Sequence, residues 1–530
     1  MQGHKHYQEK LFTSFQLSDR VPHDNFYRRL KDLLPLHWLY KATQQYYGSE
    51  GQKSIDPVVF FKLILIGYLE NLGSDRRIMQ TVSMRLDMLY FLDYDLDESL
   101  PWHSTLSRTR QLYGEEVFKE LFLQVLKQCI EKGMVSGRRQ AIDSVHVKAN
   151  ASMDSLVEKE ILEDAHKYAG ELQEEDELND NDNNTHSKNN TVSARKHQEV
   201  QWHHEWKAKA YKGMPGGSGN ENKVDENGNL IRPKFVSNHT HYSTTDPDAR
   251  VAVKPGKPRQ LNYLGQVSVD TASHVITHIQ ADFADKKDSQ CLPSLLSNTI
   301  SNLKGEGLLM EEVVADAGYS SGEALKALQT NNITGYIPNF GQYKPNREGF
   351  TYHRNGDYYE CERGVKLPFK KVRGSHGDTY QMKSYRSSAT DCGKCPLRSK
   401  CIGKSDFKKI EDTIDKPLYD KMHERLQTSK AKRMKKLRQS TVEPVLGTLV
   451  NFLAMRRVNT RGIALANKCM LMAAVCYNLK KLLNFKAPQV NTAVKAMKKI
   501  ETALKIALFF FWAAIVHPQL YYRQKQSQPA

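Results

Sequence analysis

From Phe26 to Lys132 apolar residues recur at helical spacing and strand signals are few, so this stretch predicts a helical bundle. Its clearest helix start is Asp56-Pro57, where the carboxylate can cap free amides and proline fits the first helical position; Gly73 is expected to close that helix. Further starts follow at Ser74 and at Pro101-Trp102-His103-Ser104, the latter leading into Thr105 to Tyr113. At Arg139 the period changes, and Gln140-Ala-Ile-Asp-Ser-Val-His-Val alternates as a strand with Asp143 at its centre. Glu, Asp and Asn then dominate Val157 to Asn190, with Gly, Lys and His through Val236, which reads as charged helix and flexible insert.

Order returns at Gln260. Tyr263 to Asp270 and Val275 to Asp282 read as two strands joined by a short turn around Ser273, a hairpin signal. An amphipathic helix near Leu292 to Leu303, a strand from Glu312 to Asp316, a helix from Ser321 to Asn331 and a strand from Ile333 to Pro338 complete a mixed α/β unit. A segment rich in Gly, Tyr, Lys and Cys fills Phe340 to Tyr419. After it come a basic helix from Leu418 to Arg438 and a last helical part from Glu443 to Leu483, which Glu443 is expected to open. No solenoid period is present. The expected domains are a helical domain over 20–135, an α/β core over 136–340 interrupted by a flexible insert at 155–240, a Cys-rich insert over 341–417, a second part of the core over 418–485 and a helical tail over 486–530.

Charge narrows the function. The 530 residues carry a formal net charge of +17 with a pI near 9.2, a field that attracts polyanions and favours nucleic acid or an anionic membrane surface. The N-terminal MQGHKHYQEK lacks the layout of a secretory signal, so a cytoplasmic protein is expected. Ala503 to Val516 is interrupted by Lys505 and falls short of the roughly 20 apolar residues that cross a bilayer, so no membrane partner is expected. Arg76, Arg77, Arg108 and Arg110, the last two exposed by spacing, could set a short helix into a major groove, or line a solvated face.

An ionised aspartate on a core strand is costly unless it is paired or binds a cation. Asp143 and Asp316 both fit sites where adjacent strands end in a shared cleft, and Glu443 could close that cleft; together they would hold one or two Mg²⁺ ions through oxygen ligands. Asp270 and Asp282, near strand ends of the hairpin, are the rivals.

At these residues the sequence resembles the DDE transposases of bacterial insertion sequences, most closely the insertion-sequence eleven-eighty-two group, from about Phe26 to about Leu483. The carriers are Ser54-Ile-Asp-Pro-Val-Val with Ser74-Asp-Arg-Arg; Ile142-Asp-Ser-Val-His-Val-Lys-Ala-Asn-Ala; Thr244-Thr-Asp-Pro-Asp-Ala-Arg; Val314-Ala-Asp-Ala-Gly-Tyr; and Thr441-Val-Glu-Pro-Val-Leu-Gly with Arg461-Gly. The resemblance implies a ribonuclease H-like core, which the order of strands and helices also matches, and makes Asp143, Asp316 and Glu443 the metal-binding triad for Mg²⁺ or Mn²⁺. It implies double-stranded DNA as partner, both the element's terminal repeats and the target, with a homodimer when two ends are paired, and a bacterial, nucleoid-associated location. A water would free a 3′-hydroxyl at the element's end, and that hydroxyl would then attack target DNA in the same site, without covalent intermediate or ATP.

Related transposases often carry a Tyr, an Arg and a Lys at set spacings about the last acid. Here those places hold Lys436, Gln439 and Val450, with Arg438 one position out of register. Phosphate contacts are therefore expected from Lys430, Lys432, Arg433, Lys435, Lys436 and Arg438, with Arg456, Arg457 and Arg461 downstream. Two other readings are a nuclease of the same fold without strand transfer and a non-catalytic DNA-binding descendant. Joining of a cut end to a second DNA separates the first from a transposase, and metal-dependent cutting separates the second.

Cys361, Cys392, Cys395 and Cys401 lie between the second and third acids. Four thiolates suit a structural tetrahedral zinc in a segment short of large aliphatic residues; an iron–sulfur cluster and free loop thiols are the alternatives. Cys129, Cys291, Cys469 and Cys476 sit in apolar helical contexts and read as core. His203, His204, His239 and His241 read as solvated, and Phe509, Phe510, Phe511 and Trp512 as core.

Overall fold

The N-terminal helices are α1 (Leu17–Arg20), α2 (Phe26–Leu33), α3 (Trp38–Thr43), α4 (Pro57–Leu69), α5 (Asp75–Val82), α6 (Leu86–Leu92), α7 (His103–Leu112) and α8 (Glu115–Glu131). The computed structural model describes residues 5, 16–48, 50, 54–158, 238, 241–252, 259–339, 343–345, 347–374 and 381–486. Most of the charged insert, with His203, His204 and His239, and the apolar run from Ala503 to Val516 lie outside them. Residues Met1–Leu483 form one compact unit and Asn484–Ala530 another. Among the described residues no helix is long and apolar enough to cross a membrane.

Asp56 caps α4 as its place before Pro57 predicts, its Oδ1 accepting from the amides of Val58 at 2.7 Å and Val59 at 3.1 Å. The helix is apolar on every side and buries Phe60, Phe61, Leu63, Ile64, Leu65 and Ile66, which makes it the centre of the bundle. It ends at Leu69 rather than near Gly73, because Asn71 takes the left-handed conformation (φ 57°) that terminates the run. At Gly67 a Cβ would lie 2.5 Å from Ile78 Cδ1, so the glycine permits the close crossing of α5.

The main sheet is built from β1 (Arg139–Lys148), β4 (Arg250–Ala252), β5 (Gln260–Asp270), β6 (Ile276–Phe283), β7 (Glu312–Val314) and β8 (Thr334–Tyr336). Two short strands, β2 (Leu156–Glu158) and β3 (His241–Ser243), pair by themselves. Its order runs β6, β5, β1, β7, β8, and β4 shares the β6 edge of β5. β5 is antiparallel to β1 and β6, whereas β1, β7 and β8 are mutually parallel. The parallel connections are crossed by α9 (Asp288–Lys304) before β7 and α10 (Gly322–Thr330) before β8, as parallel strands require.

Strand alternation sends successive residues to opposite faces. Val313, Ile142 and Ala315 pack with Leu292, Leu295, Leu296, Leu325 and Leu328 of α9 and α10. Val314 and Tyr336 pack on the other face, against Ala431 and Met434. That second face is covered by α14 (Ser429–Phe452), which follows α13 (Lys416–Leu426). α15 (Ile463–Asn484) is buried along most of its length, and its Asn478 side chain accepts from Ile276 N and donates to Ile276 O, both at 2.9 Å.

Two expectations are corrected here. The basic stretch is not one helix ending at Arg438: it breaks at Gln427 and Thr428, and Thr428 caps α14 through Ala431 N at 3.2 Å. Nor does Glu443 open a helix; it lies inside α14, on the same helix as the basic residues. Pro444 misleads because Glu-Pro imitates a helix start. An interior proline costs about 3 kcal/mol, and burial of Thr441, Val442, Val445 and Leu449 on both sides holds the helix together.

The Cys-rich segment contains structure the sequence does not announce. β9 (Phe350–His353), β10 (Tyr358–Cys361), β11 (Lys366–Gly374), β12 (Gln381–Arg386) and β13 (Lys409–Thr413) form an antiparallel sheet in the order β13, β12, β11, β10, β9. Short helices α11 (Ala389–Gly393) and α12 (Arg398–Cys401) connect β12 to β13. Tyr359, Leu367, Tyr385 and Ile410 give the sheet a core of its own, so the premise that only a metal could hold the segment is not met.

Candidate active site

Parallel pairing of β1 with β7 sets Ala141 beside Val314. Asp143 and Asp316 each stand two residues beyond that pair, and the two-residue period of a strand brings them out on one sheet face. This is the face covered by α14, since Val314 packs against Ala431 and Met434. α14 delivers the third acid, Glu443, and also Arg438. The guanidinium joins two of the acids: Nη1 donates to Asp143 Oδ2 at 2.7 Å, and Nη2 lies 3.6 Å from Glu443 Oε1. The sequence reading placed Arg438 on DNA; in the structure it neutralises the acids.

Asp143 is largely buried, with 17% of its side chain exposed. Burial pushes its carboxyl above the ordinary aspartate value; the Ser144 amide (2.8 Å) and Arg438 oppose the rise, and the negative charge of Asp316 adds to it. Asp316 caps a short 3₁₀ turn, Ala317–Tyr319, by accepting from Gly318 N at 2.9 Å. Glu443 is exposed on α14.

A further carboxylate, Asp288, approaches Asp316 from the α9 side of the sheet. Asp288 begins α9, and a Cβ built on Gly318 would lie 3.1 Å from Asp316 Oδ1 and 3.2 Å from Asp288 Oδ2. Gln266 Nε2 donates to Asp288 Oδ1 at 2.9 Å, and the buried Tyr319 hydroxyl donates to Gln266 Oε1. Burial first, then the charges of Asp288, Asp143 and Asp316, push the Tyr319 hydroxyl well above its ordinary value. In the sequence Asp288 is indistinguishable from an acid that starts a helix. A cleft of about 990 Å³ opens on the α9 side of the sheet, lined by Ser144, His146, Asp288, Gly318, Ser320 and Asp415 among others; Asp143, Asp316 and Glu443 are not among its walls.

The rivals are occupied elsewhere. Buried Asp270 accepts from Gly137 N (2.9 Å), Gln140 Nε2 (3.1 Å) and Ala272 N (2.8 Å), which makes it the anchor of two turns. Asp282 accepts from Gln280 Nε2 at 2.7 Å and pairs with Lys286 at 3.1 Å.

Among the basic candidates, Arg76, Arg77, Arg108, Lys432, Arg433, Lys435, Lys436, Arg456, Arg457 and Arg461 are exposed. Lys430 is paired with Glu312. Arg110 is a correction: expected at the surface, it is 5% exposed and forms a two-pronged pair with Asp75 at 2.8 and 3.1 Å. α5 and α7 pack together, and the arginine joins them across 35 residues of sequence. A second cleft, about 620 Å³, lies between this helix pair and the 457–459 loop, with Arg76, His103, Ser107, Asn150 and Arg457 in its walls.

The Thr244-Thr-Asp-Pro-Asp-Ala-Arg motif has a structural task. Asp246 accepts from Tyr263 Oη (2.7 Å) and Gly462 N (3.0 Å), and Asp248 from Ile463 N (2.9 Å), so the motif fixes the start of α15 beside Arg461.

His241 is buried on β3, not solvated. Cys129, Cys291, Cys469 and Cys476 are all buried. Cys361 packs against the aromatic core of the second sheet, while Cys392 bonds to Ser387 Oγ at 3.0 Å and its carbonyl accepts from Cys395 N at 3.3 Å. Among the described residues no three His, Cys, Asp or Glu side chains are grouped closely enough to hold a metal.

Residues 15–112 match the family described as Transposase domain (DUF772), and residues 360–483 match the family described as Transposase DDE domain. The protein is a DDE transposase. It therefore cleaves and transfers DNA strands, and does so with a divalent metal. None of the curated proteins searched matches the chain. The first matched span of the transposase covers α1 to α7 with Arg76, Arg77, Arg108 and Arg110; the second covers β11 to β13 of the antiparallel sheet, the four cysteines, α14 and Glu443. Asp143 and Asp316 fall between the two. The three acids are oxygen donors of the kind a hard divalent cation takes, and in this structure the guanidinium of Arg438, rather than a close grouping of all three, joins Asp143 to Glu443.

Proposed function

We propose that Asp143, Asp316 and Glu443 are the three metal-binding acids of this transposase, and that two Mg²⁺ or Mn²⁺ ions serve them. The observation that carries the reading is that Asp143 on β1 and Asp316, past the end of parallel β7, each stand two residues beyond the Ala141–Val314 pair, with Arg438 tying Asp143 to Glu443. Bound divalent ions supply charge neutralisation for both the attacking and the leaving oxygen of an in-line displacement. The chain's own part is to hold the acids on rigid strands, to keep Asp143 shielded, and to withdraw Arg438 from the carboxylates toward DNA phosphate as cations enter. The strand order β6, β5, β1, β7, β8, antiparallel on one side and parallel on the other, supports a ribonuclease H-like core.

The substrates on this reading are the element's double-stranded terminal repeats and a target duplex, with a homodimer pairing two ends, in the bacterial cytoplasm at the nucleoid. The quoted motifs favour the insertion-sequence eleven-eighty-two group. The N-terminal bundle over 20–135 and the exposed basic residues of α14 and of the 456–461 loop grip the duplex. The turn from Cys392 to Cys395 supports a structural zinc completed by Cys361 and Cys401. Asp143→Asn, Asp316→Asn and Glu443→Gln should each abolish cutting and joining of an end duplex while retaining binding at a fixed salt concentration. Cutting at the wild-type rate by any one of them removes that residue from the triad.

A further inference from the structure

We infer that one face of the second sheet, over β11 to β13, is a further DNA-binding surface that holds the duplex through its phosphates without reading sequence. The inference adds to the proposed grip of the bundle, α14 and the 456–461 loop, and rests on duplex DNA being what the transposase holds. Its first support is charge. Between Lys366 and Lys409 the chain carries twelve lysines and arginines against three aspartates and no glutamate, a net charge of +9 with histidine counted neutral, whereas the whole chain of 530 residues reaches +17. More than half of the excess positive charge thus falls on one small module, and a field so concentrated attracts polyanions.

The second support is how the strands gather that charge on one face. Residues paired across a sheet share a face, and β12 turns Tyr385 into the aromatic core, so its neighbours Ser384 and Arg386 lie on the opposite side. Regular pairing beyond Phe369 and Tyr385 would send Lys371 to the core side. Instead β11 carries one extra residue, Lys370, and the register resumes with Lys371 opposite Ser384 and Arg373 opposite Met382. The bulge therefore moves Lys371 and Arg373 to the face of Arg386 and Lys409, the re-aiming that bulges perform. All four are exposed.

The third support is an arrangement that is unfavourable in the free protein. Arg386 stands directly opposite Lys409 across β12 and β13, and like charges so placed repel. Glu411, on the same face, takes Lys409 at 2.5 Å and Arg373 only at 3.8 Å, while Lys370, Lys371 and Arg386 make no ion pair among the described residues. The Arg386 guanidinium is instead laid on the Phe407 ring, 3.4 Å from its centroid, which fixes it without neutralising it. A polyanion relieves the repulsion. The ordinary reading is edge protection, since β11 past Pro368 is paired with β12 alone and lysines guard such edges. That reading accounts for Lys370 and Lys371, and not for two cations opposed on β12 and β13.

The test measures binding of full-length protein to an end duplex and to a scrambled duplex of equal length over a range of salt concentrations. Lys371→Gln/Arg373→Gln/Arg386→Gln should weaken binding to both duplexes alike and flatten the slope of log affinity against log salt by about 2.7, one phosphate for each cation. Should that variant fail to fold, Lys371→Gln/Arg373→Gln changes two exposed side chains of an edge strand and should flatten the slope by about 1.8. Lys127→Gln/Lys132→Gln/Lys304→Gln removes the same charge from exposed positions elsewhere and should leave the slope as it is. An equal fall in that control, or a loss confined to the end duplex, overturns the inference. So does an unchanged slope in the sheet variants, which assigns the lysines to edge protection. Alanine at Lys432, Arg433, Lys435 and Lys436 separates the two ideas: a flatter slope there beside an unchanged one in the sheet variants keeps the grip of α14 and rejects this surface. Unchanged slopes in both reject the two together.

Discussion

Replacing Arg438 by glutamine removes the cation facing Asp143 and leaves that carboxylate with the Ser144 amide as its remaining close donor. A charge-assisted hydrogen bond is worth about 1.5–3 kcal/mol, and stripping one partner from a fully buried pair costs about 3–5 kcal/mol. Side-chain exposures of 13% for Arg438 and 17% for Asp143 leave the pair partly in contact with solvent and place it toward the lower range. We expect a loss of about 2 kcal/mol at pH 7. Protonation sets a ceiling. Taking an unfolded value of about 3.9, Asp143 can cost no more than about 4 kcal/mol at pH 7 and about 1.5 kcal/mol at pH 5, because beyond that the folded carboxyl binds a proton instead.

The sign follows from the direction of the shift. The folded carboxyl of Asp143 is already raised by burial, so the stability it permits is fully present below the unfolded value and is lost as pH rises through the folded one. Without Arg438 the folded value rises further and the loss at neutral pH grows. Urea unfolding of metal-free Arg438→Gln and wild type at pH 5 and pH 7 should therefore give a difference that shrinks at the lower pH. Mn²⁺ should stabilise the variant more than wild type, which must first move its arginine aside. An equal difference at both pH values, or none at pH 7, refutes the account of Arg438 as the resident counter-charge.

Arg110→Ala leaves half-buried Asp75 without its cation, so it should cost about 2–3 kcal/mol of stability, whereas Arg108→Ala should leave the melting temperature unchanged and weaken DNA binding; a destabilised Arg108→Ala beside a stable Arg110→Ala would reverse the assignment. Alanine at Lys432, Arg433, Lys435 and Lys436 should flatten the dependence of log affinity on log salt by about 0.9 for each phosphate that is no longer neutralised, and an unaltered slope places them on a solvated face. Metal analysis of protein purified without chelator should find one zinc for Cys361, Cys392, Cys395 and Cys401. Because the second sheet has its own core, zinc removal should loosen α11 and α12 while the sheet persists; zinc-free protein with full activity would make these ordinary thiols.

The parts of the fold that were legible are those where one local rule decides. β1, β5 and β6 are apolar-rich runs of strand length bounded by turn or polar segments, α4 has its Asp-Pro start, and α9 and α10 have clear amphipathic periods. The antiparallel sheet was not legible because its strands are short and β11 is exposed through most of Lys366–Gly374. One buried residue per strand, as with Tyr359, Leu367, Tyr385 and Ile410, carries the core, and no alternation is visible in so few apolar positions. The role of Arg110 depends on Asp75, 35 residues away, so spacing within α7 alone points the wrong way. For the site, strand aspartates stood out because charge in a core strand is anomalous; Asp288 did not, because an acid at a helix start is ordinary. Glu443 was found by resemblance and misplaced locally by the proline that follows it.

The organisation of β1 gives a physical reason for joining the helical bundle to the catalytic sheet. The strand carries Asp143 near its middle and ends at Lys148, whose amide donates to Arg456 O at 3.1 Å and whose carbonyl accepts from Val458 N at 3.0 Å. The arginine loop is thus fastened to the strand that bears the first acid, and Arg457 also lines the cleft beside Arg76 of α5. At about 3.3 Å per residue, Asp143 and Lys148 are roughly 17 Å apart along the strand, equivalent to about five nucleotides of a duplex rising 3.4 Å per step. Along this length β1 is paired continuously with β5, from Asp143 opposite Val267 to Lys148 opposite Asn262, which holds its register. On the proposed assignment of the acids and of the arginine loop, the length of β1 sets the distance between a phosphate held at that loop and the phosphodiester presented to Asp143.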